Sequence, residues 1–298
     1  MGQFRPFGRA AGGRLSRPLH LGHRLAASQH AGRNSRRRPY RRHDPARRPD
    51  GRAAAQAARC QSGAALLVGL DPLARPAWAA LSGPQAHLAE INGRARRFRY
   101  DVNAIIACED DGAKAVADQF ALLAPGERVF AVQVADIPDV PGLTTVLCRP
   151  AVQMILEESE AGFEAEVDFE LLGEDDVDAM LELAELTQPG PFRRETCRVG
   201  QFIGLRREGR LVAMAGERMR IPGYCEVSGV CTHPDARGEG LASRLSAYKA
   251  REILARGEIP FLHAWQDNCA AIRIYERLGF RIARQMNVTV FERPVVAK

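Results

Sequence analysis

A strand, a glycine-rich turn and a helix follow one another within residues 230–242, and this run constrains the chain more than any other part of its sequence. A His-Pro pair ends the strand, and Gly238 and Gly240 precede the apolar stripe of the helix. The first N–H groups of a helix have no acceptor within it, and they point outward at the positive end of the helix dipole. Because glycine has no Cβ to hold an anion away and Arg237 adds a positive charge, the run predicts a cradle for a pyrophosphate group.

Two other glycine motifs fit this run less well. The dinucleotide fingerprint requires a third small residue and a short turn after the strand; Ser243 holds that position, but the turn here is too long. The nucleoside-triphosphate loop ends in Gly-Lys-Ser/Thr, which residues 230–242 lack. The run by itself also leaves open a plain turn that caps a helix.

A second pattern lies downstream, where Asn268 and Tyr275 are seven residues apart in a predicted helix over 270–278. Seven residues make two helical turns, so the two side chains lie on one face about 10 Å apart. Such a face can place an amide against an extended ligand and a phenol near the end of that ligand.

Together the two patterns resemble the GNAT superfamily of acyl-coenzyme A-dependent N-acetyltransferases. The first matches the family's Arg/Gln-x-x-Gly-x-Gly/Ala loop, and the second matches its other conserved motif. The matching residues are Arg237, Gly240 and Ala242 in the loop, and Asn268, Ala271, Tyr275, Gly279 and Phe280 downstream. The resemblance covers residues ~163–298 and implies an α/β fold of the α+β type, with the mixed sheet of a GNAT acyltransferase.

The resemblance also implies a role for each matching residue, with acetyl-CoA as co-substrate and no metal. Backbone N–H groups of the loop would hold the pyrophosphate of coenzyme A, from Arg237, Gly238, Glu239, Gly240, Leu241 and Ala242. The strand end at Val230 and Thr232 would pair with the pantetheine arm. Asn268 would bond that arm from the other side, and Tyr275 would protonate the leaving thiolate.

The implied function is transfer of an acetyl or other acyl group to a primary amine of a small molecule or peptide. The alternative is a non-catalytic module that binds acyl-CoA. An amine with a pKa of ~10 is mostly protonated at neutral pH, so a base or a water chain must remove a proton. Glu226 is the candidate base, acting through a water, because it is expected to share a strand face with Ser228 and Val230. A surface or ion-paired carboxylate is the alternative for Glu226.

Two histidines and one loop lie near these candidates. His233 is expected to form the turn after the strand, and His263 lies on the opposite strand face from Leu262. The segment 187–194 falls where the family builds its acceptor pocket. If Arg193 or Arg194 faced that cleft, the acceptor would carry a carboxylate; otherwise both are solvated charges.

The chain divides into three predicted parts. Residues 161–298 form the acetyltransferase domain, with the order β-α-(loop or helix)-β-β-β-α-β-α-β. Residues 66–160 form a smaller α/β region, with helices at 76–90 and 113–123 and a strand pair at 129–134 and 144–147. The arginines between positions 94 and 99 are expected on a solvated loop.

Residues 1–65 are predicted to be a disordered, arginine-rich segment. The chain has a formal net charge of +6, yet the first sixty residues contain 15 Arg and two acids, so the remainder is acidic. The segment is open to three interpretations: a tail for nucleic acid or a membrane surface, a mitochondrial presequence, or a translation start placed upstream of the native one.

The composition of the chain limits the classes of partner and the location that we expect for the protein. Because the positive charge belongs to one segment, the folded part argues against nucleic acid as a partner. The sequence contains no run of ~18 consecutive apolar residues, so no membrane helix is predicted. Seven scattered cysteines without a C-x-x-C pair indicate reduced thiols in a cytoplasmic protein and no metal site. A homodimer is left open.

Overall fold

The structure of the chain is a computed structural model, and it describes residues 71–156 and 169–295. The predicted segment 1–65 lies outside these ranges. The helices are α1 (Pro76–Ser82), α2 (Ala113–Asp118), α3 (Val177–Thr187), α4 (Leu241–Ala255) and α5 (Cys269–Arg277). The strands are β1 (Ala89–Asn92), β2 (Ala95–Phe98), β3 (Ile106–Cys108), β4 (Arg128–Gln133), β5 (Thr144–Ile155), β6 (Glu170–Leu172), β7 (Phe202–Arg207), β8 (Arg210–Ile221), β9 (Tyr224–Thr232), β10 (Ile259–Trp265) and β11 (Arg281–Glu292).

Strands β4 to β11 form one eight-stranded mixed sheet in the order β4-β11-β5-β10-β9-β8-β7-β6, and β1 to β3 form a separate three-stranded sheet. Within the large sheet, β9 and β10 run parallel and their connection contains α4, whereas β5 runs antiparallel to both β10 and β11. The predicted mixed α/β class is therefore confirmed.

Helices cover both faces of this sheet. On one face, Cys225 and Val227 of β9 pack with Ala247 and Ala250 of α4. On the other face, α1 and α3 share a core with β8, β9 and β10. That core includes Leu81, Met180, Leu183, Met214, Cys231 and Phe261. We call the first the α4 face and the second the α3 face.

The region before residue 160 differs from its sequence prediction in four respects, one of which is that the helix predicted over 113–123 ends at Asp118. The helix predicted over 76–90 ends at Ser82, and β1 follows a short turn. The strand pair predicted from 129–134 and 144–147 is wrong, because β11 lies between β4 and β5. The solvated loop expected at residues 94–99 is instead largely strand β2, where Arg97 is buried and paired with Glu90 and Glu127.

Strands from both sides of the boundary predicted at residue 160 share the large sheet. Gln153 and Met154 of β5 pair with His263 and Leu262 of β10, and β11 flanks β5 on its other side. The smaller region thus supplies two strands to the same sheet that contains the predicted motifs.

Candidate active site

A gap opens between the parallel strands β9 and β10. They pair only from Ile259 opposite Tyr224 to Phe261 opposite Glu226. Beyond this point β10 stays paired with β5 as far as Trp265, and β9 stays paired with β8 as far as Thr232. Among the described residues, the edge of β9 that faces β10 therefore has no strand partner after Glu226, and its peptide groups are available to an extended ligand.

A β-bulge lies in β9 beside this gap. The pairing with β8 shifts between Cys231 opposite Met214 and Ser228 opposite Gly216, so β9 contains one extra residue there. Gly229 has φ +63°, a left-handed conformation that glycine adopts without a steric penalty. The extra residue reverses the alternation of side chains along the strand.

We predicted that Glu226, Ser228 and Val230 share one face of the strand. Because of the bulge, this prediction is wrong for Val230. Val230 packs with the cluster on the α4 face, whereas Cys231 belongs to the core on the α3 face. Cys231 thus takes the side of the sheet on which the carboxylate of Glu226 lies. Thr232, the other predicted strand contact, has a buried hydroxyl oxygen with no partner among the described residues.

The predicted glycine loop leads into α4 and is open to solvent. Gly238 and Gly240 have φ +85° and +74°, and a Cβ built on either would meet nothing within 4 Å. Gly240 is the N-cap residue of α4, a 15-residue helix whose first turn, from Leu241, has no side-chain cap from any residue that the structure describes. Unsatisfied N–H groups therefore face open space at the positive end of the helix dipole, and this fits an anion such as the pyrophosphate of coenzyme A.

The charges of the loop favour an anion. The Arg237 side chain is exposed and has no ion-pair partner in the described part of the chain. The carboxylate of Glu239 accepts a hydrogen bond of 2.7 Å from Arg207, and this contact lowers the pKa of Glu239. The pairing offsets the one negative charge in the loop. Ala242 lies in the first turn of the helix.

The second motif forms α5, as predicted from its spacing. Asn268 caps the helix, since its Oδ1 accepts a 3.2 Å hydrogen bond from the Ala271 N–H, and its amide nitrogen has no partner among the described residues. The Tyr275 ring packs edge-on against Phe280, 6.0 Å between centroids. Burial raises the pKa of Tyr275 to about 12, and the nearby Cys231 thiol adds to the shift, so the phenol keeps its proton at neutral pH.

Glu226 is completely buried and ion-paired. Arg218 donates to its two oxygens at 2.8 and 2.6 Å, and Nδ1 of His263 lies 2.8 Å from Oε1. Burial by itself would raise the pKa of Glu226, but Arg218 and then His263 lower it to about 2. The ion-paired alternative stated above describes this side chain. The general-base role stays a prediction, and so low a pKa weighs against it.

The expected positions of the two histidines are confirmed. Nδ1 of His233 accepts a 3.2 Å hydrogen bond from the Asp235 N–H, so His233 shapes the turn after β9. His263 contacts Glu226, whereas Leu262 packs on the α4 face.

A small pocket lies beside the bulge on the α3 side. It is lined by Ser228 and Gly229 of β9, Arg218 and Phe202, Thr196, and the loop of residues 189–192 that follows α3. Neither Arg193 nor Arg194 lines it: Arg193 donates to the Tyr100 hydroxyl at 2.6 Å, and Arg194 pairs with Asp178. The charge at the pocket is Arg218, which sequence analysis missed because only the tertiary fold brings it there.

The region before residue 160 supports this pocket. The Thr196 hydroxyl donates to the Val102 carbonyl at 2.7 Å, and the Glu195 N–H donates to the Asp101 carbonyl at 2.9 Å. The Arg193 guanidinium lies over the Tyr100 ring at 4.3 Å. Segment 100–102 thus holds the loop that follows α3, a role that no motif in its sequence indicates.

Comparisons with known proteins agree with this geometry. The family described as FR47-like protein matches residues 202–289. The N-alpha-acetyltransferase RimI of Mycobacterium tuberculosis is 35% identical over 99 residues, which span 31% of this chain and 60% of the length of that relative. A structure from Kribbella flavida, described as a GCN5-related N-acetyltransferase, has the same fold at 20% identity, with a TM-score of 0.51 over 75% of this chain and 96% of that one.

A structure from Novosphingobium aromaticivorans, described as an acetyltransferase from the GNAT family, is 40% identical, with a TM-score of 0.71. The match covers 76% of this chain and 100% of that one. The general reaction of the family is transfer of an acyl group from acyl-CoA to an amine. This chain belongs to the GNAT family of N-acetyltransferases.

Proposed function

We propose that the chain transfers an acetyl group from acetyl-CoA to a primary amine of a small molecule or peptide, with the residues of the β9–β10 gap as its active site. One observation carries the proposal. Among the described residues, the edge of β9 that faces β10 is unpaired after Glu226, the strand leads on to the open N-terminus of α4, and the Tyr275 phenol is close enough to Cys231 of that strand for the thiol to affect its pKa. A thioester with a long polar arm and a pyrophosphate fits this succession of groups.

The glycine loop and the two strands would bind the co-substrate. Backbone N–H groups from Gly238 to Ala242 would hold the pyrophosphate, with Arg237 adding positive charge. The free edge of β9 up to Thr232 would pair with the pantetheine arm, and the free amide nitrogen of Asn268 would bond the arm from α5. N–H groups on the same edge would stabilise the negative charge that develops on the thioester oxygen.

Tyr275 would act as the general acid. The neutral amine attacks the thioester carbon, the C–S bond breaks, and the Tyr275 hydroxyl gives its proton to the departing sulfur. The proton lost by the amine passes to solvent, and the phenolate is then reprotonated. A phenol with a pKa of about 12 is fully protonated when the thiolate forms.

For Glu226 we propose a positioning role in place of the base predicted from the sequence. Its carboxylate is enclosed by Arg218 and His263 and is a weak base. The amine would then react through its small neutral fraction, about 0.1% at pH 7 for a pKa of ~10.

We also propose that the protein is cytoplasmic, as predicted from the sequence. In the described ranges no helix is long and apolar enough to cross a membrane.

Two variants test the proposed site. Gly240→Trp places a ring where the pyrophosphate would bind, and we expect titration calorimetry to show acetyl-CoA binding weakened by at least about 100-fold. Gly223→Trp is the matched control: Gly223 also has a positive φ (+80°) and open space around it, but it lies in the β8–β9 turn. Unchanged binding in Gly240→Trp would rule out the cradle.

Tyr275→Phe should bind acetyl-CoA as the parent does and lower kcat by about 100-fold, which is typical for loss of a general acid. CoA release is measured across a panel of small amines, amino acids and peptides. Full turnover in Tyr275→Phe would remove the acid role. Acetyl-CoA binding with no CoA release from any amine would favour the non-catalytic module.

A further inference from the structure

Arg218 has one guanidinium nitrogen left for a ligand. Its side chain is 15% exposed, and its Nε and Nη2 both donate to Glu226. Nη1 has no acceptor among the described residues. A Cβ built on Gly190 would lie 3.6 Å from Nη1, so this nitrogen lies against the 189–192 loop that lines the pocket.

A chain of hydrogen bonds holds the Arg218–Glu226 pair in place. Nε2 of Gln153 donates to the Leu73 carbonyl at 3.1 Å and lies 3.2 Å from Nε2 of His263. Because the Gln153 nitrogen is a donor, Nε2 of His263 accepts, and the ring proton is assigned to Nδ1. His263 therefore donates through Nδ1 to Glu226, and the Met219 N–H also reaches this carboxylate at 3.3 Å. The orientation of Arg218 is thereby fixed.

The pocket around Nη1 selects for a particular kind of ligand atom. A guanidinium has only donors, so its free nitrogen needs an oxygen acceptor. The pair with Glu226 is neutral overall, and it can therefore accept either a carbonyl or a carboxylate. The opposite wall is apolar, with Phe192 and Phe202 in an edge-to-face contact at 5.6 Å, and the Ser228 side chain adds a polar group beside the bulge.

We infer that the acceptor is an amine that carries a carbonyl or carboxylate oxygen close to its nitrogen, and that Arg218 Nη1 binds this oxygen. The inference rests on the proposed function, because it concerns the amine that enters the same site. Gly229 lines the pocket and forms the bulge next to the β9 edge, so an amine held by its oxygen at Arg218 lies close to where the thioester would bind.

The test compares three amines of matched shape: alanine, alaninamide and isopropylamine. Rates are expressed per neutral amine, so that different amine pKa values do not contribute. We expect kcat/KM of the parent to be at least 10-fold higher for alanine or alaninamide than for isopropylamine. The better of the two oxygen-bearing amines identifies carboxylate or carbonyl as the preferred group.

Arg218→Gln should reduce this preference to less than 3-fold and leave acetyl-CoA affinity unchanged. Because this variant leaves Glu226 buried without its partner, the double variant Arg218→Gln/Glu226→Gln serves as a second test, with circular dichroism to verify folding. Arg94→Gln is the control, since Arg94 is a half-exposed arginine paired with Glu109 and Asp110 away from the pocket.

Each outcome either supports or overturns the inference about Arg218. A folded double variant that keeps the parental preference would overturn the role of Arg218. CoA release with no preference in the parent would overturn the inference and leave the proposed function standing. No CoA release with the three amines or with any amine of the wider panel, despite acetyl-CoA binding, would overturn the proposed function and this inference together.

Discussion

Two glutamates at the site show how partners decide the chemistry of a side chain. Glu239 is exposed in the glycine loop, and its pairing with Arg207 removes a charge that would repel a phosphate. Glu226 is buried and balanced by Arg218 and His263. Under the proposed function, one carboxylate would favour anion binding by being neutralised, and the other orients an arginine.

The stability of the protein should depend on Glu226 in acid. Its pKa is lowered from 4.5 to about 2, so the ionised carboxylate stabilises the fold above pH ~4.5, and this contribution is lost as the pH falls toward 2. Glu226→Gln should reduce the free energy of unfolding at pH 7 by about 3 kcal/mol. The difference from the parent should shrink between pH ~4.5 and 2.

Urea unfolding at several pH values measures this effect, with Glu185→Gln on the exposed face of α3 as the control. A difference that stays constant from pH 7 to pH 3 would show that the charge of Glu226 is not its source. Loss of shape and hydrogen bonding would then explain the effect.

At the scale of the elements, the proposed site requires that the N-terminus of α4 be held in a fixed position beside β9. Leu241 and Leu245 pack near its start, and polar contacts hold its other end. The fully buried Lys249 lies 2.9 Å from Glu217 of β8, and Arg256 lies 3.0 Å from the same carboxylate. Burial alone would raise the pKa of Glu217, but Lys249 and Arg256 lower it, so this end of the helix stays attached through ionised groups.

The bulge in β9 provides a prediction at this scale. An alanine at position 229 would have a positive φ and a Cβ 2.9 Å from the Phe202 ring. We expect Gly229→Ala to lose about 1–2 kcal/mol of stability from the backbone alone, with a further loss from the clash. Acetyl transfer should fall at least 10-fold, because the bulge shapes both the pocket and the edge of β9.

Gly223→Ala is the matched control, since it shares the positive φ but meets no atom within 4 Å. It should show the backbone cost and keep its activity. Thermal unfolding and CoA release measure the two effects. Equal stability and activity in the two variants would show that the bulge tolerates a side chain.

At the scale of the whole molecule, strand β5 joins the two predicted regions. It lies between β10 and β11, and its Gln153 supports His263 below the site. The core on the α3 face also includes Leu81 of α1 and Phe98 of β2. The site therefore depends on residues that precede the recognisable motifs.

A pair of fragments tests this dependence. Residues 161–298 lack β5 and the part of the α3-face core that α1 and β2 contribute, so we expect this fragment to show no cooperative thermal transition and no acetyl-CoA binding. Residues 71–298 contain every described element and should fold and bind as the full chain does. Cooperative unfolding and acetyl-CoA binding by the shorter fragment would show that the motifs form an independent domain.

The sequence by itself determined the local parts of this protein. The glycine loop before α4 and the helix that contains Tyr275 depend on backbone conformation and on contacts within a few residues, and spacing encodes these. The GNAT resemblance followed from those two segments alone.

Only the tertiary structure decided the strand order and the partners of the buried charges. Residues 144–147 look like a short strand because the first part of β5 is exposed, whereas its later residues lie between β10 and β11 and are mostly buried. Arg218 lines the pocket together with a loop before it in sequence and a bulge after it. Such contacts depend on which distant strands become neighbours, and local periodicity carries no information about that choice.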